Sequence, residues 1–91
     1  MKNLKKAVAL KYEAANDAPT VTATGVGKIA EKILSTADEN SVPIVYNKEL
    51  VNMLSNVDIG ESIPEELYEA VAEILAYVMD VDREQKRRMI D

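Results

Sequence analysis

Apolar residues alternate with polar or small ones in the short stretches near the start of the chain, and recur at offsets of three and four further along. In Ala7-Val8-Ala9-Leu10-Lys11-Tyr12 the alternation puts Val8 and Leu10 on one face and Ala7, Ala9 and Lys11 on the other, which predicts a strand over 7–12. The turn formers Asn16, Asp17 and Pro19 follow, and then Thr20-Val21-Thr22-Ala23-Thr24, whose β-branched residues favour an extended chain over 20–24. Val26, Ile29, Ala30, Ile33, Leu34 and Ala37 then form one apolar stripe of a helix over 26–40, with Thr24 as its N-cap and Asn40-Ser41 as a polar stop. Pro43-Ile44-Val45-Tyr46-Asn47 predicts a third strand, with Pro43 at the first position, where a missing amide donor does least harm. Leu50, Val51 and Leu54 mark a short helix over 48–55, closed off by Asp58-Ile59-Gly60. The strongest signal is the last helix, over 64–80. Pro64 stands at its first position, Glu65 and Glu66 lie in the first turn where the helix dipole favours negative charge, and Leu67, Ala70, Val71, Ile74, Leu75 and Val78 form a continuous stripe.

Strand, helix and strand within residues 20–47 make a βαβ unit, so the 20–24 and 43–47 strands are expected to be parallel. The fold class is α/β: a small mixed sheet of about three strands with helices packed on it. At 91 residues the chain supports one domain, expected over 7–80, with a flexible basic N-terminus over 1–6 and a charged helical end or tail over 81–91. The core is aliphatic, since the sequence has four Tyr and no Phe or Trp.

Charge and composition narrow the function. A net charge of −5 opposes binding to nucleic acid or to an anionic membrane surface. No apolar run approaches the roughly 20 residues that a membrane-spanning helix needs, so no membrane insertion is expected and the cytoplasm is the default location. Cysteine and histidine are both absent, which removes thiol nucleophiles, thiolate and imidazole metal ligands, and the usual general base near neutral pH. The expectation is a non-catalytic protein with no catalytic residue, no cofactor and no metal.

Three patterns could suggest chemistry and read more simply as structure. Gly25 and Gly27 precede a helix, but no third glycine follows at the dinucleotide-binding spacing and Lys28-Ile29 does not complete a phosphate loop, so a tight strand-to-helix turn explains them. Glu69 and Glu73 lie one helical turn apart with no flanking ligand cluster to support a metal, as on a solvated acidic face. Lys86-Arg87-Arg88 suits the negative end of a helix dipole.

As an ordered whole the sequence resembles a known family. The run from Ala7 to Tyr12, then Ala18-Pro19 with Val21, Ala23 and Gly25, then Ala30, Ile33 and Ala37 before Pro43-Ile44, is similar to the C-terminal cytoplasmic part of the FlhB and type III secretion switch family. So is the run from Ile59-Gly60-Glu61-Ser62-Ile63-Pro64 through Glu65-Glu66-Leu67-Tyr68 to Tyr77. In that family the domain cleaves itself in an Asn-Pro-Thr-His loop just before the Ala-Val-Ala-Leu strand. Here Lys2, Asn3, Leu4 and Lys5 stand where the family has Asn, Pro, Thr and His. Autocleavage is therefore not carried over. The strand that precedes the family's loop and its transmembrane helices have no counterpart in the sequence, which is expected to behave as a pre-cut fragment with its own start.

What the resemblance implies is a binding module of the flagellar or type III protein export apparatus. Its partners would be flagellar export gate components, among them the membrane-bound N-terminal part of FlhB. The candidate partner-binding residues are Ala7, Val8, Ala9, Leu10, Lys11 and Tyr12, because an absent neighbouring strand leaves this sheet edge open. A small homodimer or scaffold outside the export machine is the alternative, using the same edge.

Overall fold

The computed structural model describes residues 5–13 and 18–78. The elements run β1 (Lys6–Lys11), β2 (Thr20–Val26), α1 (Lys28–Glu39), α2 (Lys48–Leu54), a 3₁₀ turn (Glu65–Leu67) and a helix over 68–78, here α3. Among the described residues β1 and β2 form a two-stranded antiparallel sheet, in which Ala7 faces Gly25 and Ala9 faces Ala23. Thr22 is the extra residue of a bulge between Ala9 and Leu10, and its hydroxyl donates to the Ala9 carbonyl at 3.3 Å. The fold is α/β as expected, and the alternation of β1 is as read from the sequence. The third strand is a correction. Residues 42–47 form neither a strand nor part of the βαβ unit, because β-branched side chains extend a chain but a strand also needs a backbone partner, and none is beside it among the described residues.

The sheet is covered on both faces. Val8, Leu10 and Val21 meet Leu50 and Leu54 of α2, Ile63, Leu67 of the 3₁₀ turn, and Val71, Ile74 and Leu75 of α3. Small residues face the other way and let α1 lie close. A Cβ at Gly25 would overlap the Ile29 side chain and come within 3.2 Å of the Ile29 carbonyl carbon, so glycine is required there by the approach of the helix.

Helix ends follow local chemistry. Gly27, not Thr24, is the N-cap of α1, and it reaches φ 65°, ψ −124°, a conformation that a β-branched residue would resist. At the other end Ser41 takes φ 57°, with Ser41 N–H donating to Asp38 O at 3.1 Å and Val42 N–H to Ala37 O at 2.8 Å. That is a Schellman stop with serine where glycine is usual. Asn47 caps α2, its side chain accepting from Leu50 N–H at 3.0 Å. Pro64 precedes the final helical segment, which opens as a 3₁₀ turn before α3. Two stripes are less covered than their periodicity implies. Val26 and Ile29 are exposed, Ile29 at 62 %, because the sheet under α1 is narrow, and Ala70 of α3 is exposed as well. The expected basic N-terminus and charged tail fall largely in 1–4 and 79–91, outside the described residues, although Lys6 belongs to β1.

Candidate docking surface

The two outer edges of the sheet differ. Along the first half of β2, Val21 N–H donates to Glu61 O at 3.0 Å, Gly60 N–H to Val21 O at 2.7 Å, and Ile63 N–H to Pro19 O at 3.0 Å. This strap over 60–63 closes that part of the edge. Along β1, no backbone hydrogen bond reaches the outer side among the described residues. Which residues face outward follows from the hairpin. Gly27 N–H donates to Lys5 O at 2.7 Å, so Lys5 points its backbone groups at β2 and, by alternation, so do Ala7 and Ala9. The outward donors and acceptors are therefore those of Lys6, Val8 and Leu10. Of the six candidate residues, Ala7, Ala9 and Lys11 face β2 across the hairpin, Val8 and Leu10 present the open edge, and Tyr12 lies beyond the strand and is exposed.

Next to this edge is a groove of about 510 Å³ that the sequence did not reveal. Its floor is Ala9, Thr22 and Ala23 of the sheet, its wall is Ile29, Ile33 and Ala37 of α1, and it ends at Val42. Among the described residues Lys32 is the one charged residue lining it. Beyond Val42, which is 52 % exposed, the chain leaves Val45 and Tyr46 in solvent, Tyr46 at 86 %. The apolar spacing of α1 signalled a stripe, but only the width of the sheet decides how much of it is covered.

The charges at the strand ends are basic and engaged. Lys6 Nζ donates to Asn52 Oδ1 at 3.0 Å, and Lys11 Nζ lies 2.8 Å from Glu13 Oε1. The hydrogen bond and charge of Lys11 hold the Glu13 carboxyl below its usual range, and Glu13 holds the ammonium above its own. What this pair contributes is lost as pH falls through the lowered Glu13 pKa or rises through the raised Lys11 pKa, and full exposure keeps it small. Among the described residues no cluster of acidic side chains could hold a metal ion, and no helix is long and apolar enough to cross a membrane.

Taken together, these features define a small two-sided α/β domain in which one sheet edge and an adjoining apolar groove are open among the described residues. Residues 4–78 match the profile described as the FlhB HrpN YscU SpaS family, and the chain belongs to that family. It is 40 % identical over 86 residues to the uncharacterized protein YlqH of Bacillus subtilis (strain 168), covering 93 % of this chain and 92 % of that one. With the flagellar biosynthetic protein FlhB of Aquifex aeolicus (strain VF5) it shares 48 % identity over 75 residues, which is 80 % of this chain and 21 % of that protein. The chain thus spans nearly all of YlqH and about a fifth of that FlhB. Among solved structures, the cytoplasmic domain of FlhB from Shewanella putrefaciens superposes with a TM-score of 0.85 at 36 % identity, over 93 % of this chain and 73 % of that one.

Proposed function

We propose that the protein is a non-catalytic cytoplasmic binding module of the flagellar or type III protein export apparatus, docking on export gate components through the open edge of β1. The observation that carries this reading is the outer side of Lys6, Val8 and Leu10, unpaired among the described residues, in a domain of FlhB-family fold. A sheet edge with free donors and acceptors is a template for one more strand, and pairing would satisfy those groups while burying apolar surface beside them. The membrane-bound N-terminal part of FlhB is the partner that the family relationship favours. The lack of histidine and cysteine supports a role without catalysis.

A homodimer through the same edge is less well supported. An antiparallel pairing of two β1 strands about their outward Val8 would set Lys5 of one copy opposite Lys11 of the other, and like charges across a ladder are unfavourable. The test is co-purification of the tagged full chain with the detergent-solubilised N-terminal part of FlhB. Retention above an untagged control is the expected result, and recovery of the chain alone, or only with itself, would refute the export role.

A further inference from the structure

The groove between α1 and the sheet meets the open edge of β1 at Ala9 and Leu10, so whatever pairs with that edge also reaches the groove. We infer that the groove reads the side chains of the docked segment: its ligand is an extended peptide strand with apolar residues at alternate positions and a carboxylate placed to meet Lys32. This rests on β1 being the docking edge, and adds what kind of strand it takes.

The apolar requirement comes from the walls. A strand laid along β1 sends every second side chain toward the α1 side of the sheet. There it finds Ile29 and Ile33, an apolar stripe that the two-stranded sheet does not cover, above a floor of Ala9 and Ala23 that leaves room for side chains larger than alanine. Burial of this surface would add to the backbone pairing, and the alternate spacing follows from the pleat.

The charge requirement comes from the sign of the surface. The chain carries −5 overall, yet among the described residues Lys32 alone brings charge to the groove, and Lys6 and Lys11 stand at the two ends of β1. A carboxylate at the groove meets complementary charge at Lys32, while Lys11 is already paired with Glu13 and Lys6 with Asn52. A second copy of this chain would bring its own β1 lysines and its overall negative charge, so a foreign strand is favoured over self-association. Since Lys32 is exposed, the charge acts as a preference among apolar strands and not as the source of affinity.

The experiment uses the full chain, isotope-labelled for NMR, and two capped eight-residue peptides of alternating valine and threonine that differ only in a central Asp or Lys. Expected are slowed exchange at the Val8 and Leu10 amides, methyl shifts at Ile29, Ile33 and Ala37, and about a threefold preference for the Asp peptide at low salt that fades at high salt. Lys32→Glu should invert the preference with the fold unchanged, an inversion that a merely structural role for Lys32 would not give. Ile33→Glu, checked for folding by its amide spectrum, should weaken both peptides at least tenfold. No binding of either peptide, binding insensitive to both variants, or protection at Val8 that instead grows with the protein's own concentration would overturn the inference. Peptides that bind here while the FlhB part does not would remove the export partner and leave the groove's specificity standing. Binding of the FlhB part with both variants unaffected would do the reverse.

Discussion

Gly25 shows how one residue sets the distance between the layers. Any side chain there meets Ile29 from the first turn of α1, including its backbone, so the helix would have to lift or tilt. Gly25→Ala should cost about 1 to 3 kcal/mol in urea unfolding, as overpacking does in a close-packed interior. A loss below about 0.5 kcal/mol would show that α1 is free to shift. Ser41 carries the opposite opportunity. With φ at 57° it holds a left-handed conformation that costs an L-residue with a Cβ, and Ser41→Gly should raise stability by roughly 0.5 to 1 kcal/mol by the same assay. Destabilisation would mean that the serine makes up for its backbone in another way.

Within the elements, burial separates positions that periodicity treats alike. Leu54 is almost wholly buried in the cluster that joins β1, α2 and α3, whereas Ile74 is only partly buried against it. Leu54→Ala should cost about 2 to 5 kcal/mol, and Ile74→Ala distinctly less. Equal losses by thermal or urea unfolding would contradict that packing. The sequence makes β1, β2 and the three helical segments readable because each has a local signal: alternation in β1, β-branched residues in β2, the apolar spacing of α1, Leu50, Val51 and Leu54 in α2, and Pro64 with two glutamates ahead of α3. What it could not supply was partnership. Residues 43–47 have strand-like composition, but whether they pair depends on a neighbour that no local pattern encodes, and the same holds for the cover over Ile29. The candidate site was legible in part for this reason. The edge at Ala7, Val8, Ala9, Leu10, Lys11 and Tyr12 could be named from the family resemblance, while the split between inward Ala7 and Ala9 and outward Val8 and Leu10 required the register, and the groove required α1 in place.

At the level of the whole molecule, the chain has the family's fold, and the residues ahead of β1, Lys2, Asn3, Leu4 and Lys5, contain no Asn-Pro-Thr-His motif. Purified protein should stay intact on storage, with a single species by mass spectrometry. A specific product cut beside Asn3 would contradict this. The most direct test of the account is calorimetry of binding to the truncated export gate, the N-terminal part of FlhB. Val8→Pro removes an outward amide and spares the ladder to β2, whereas Ala9→Pro removes an inward donor and should unfold the hairpin. Circular dichroism should therefore find Val8→Pro folded and Ala9→Pro disrupted. The account predicts that the unaltered chain binds and that folded Val8→Pro binds at least tenfold more weakly, whereas equal binding by the two would show that the open edge of β1 is not where the protein docks.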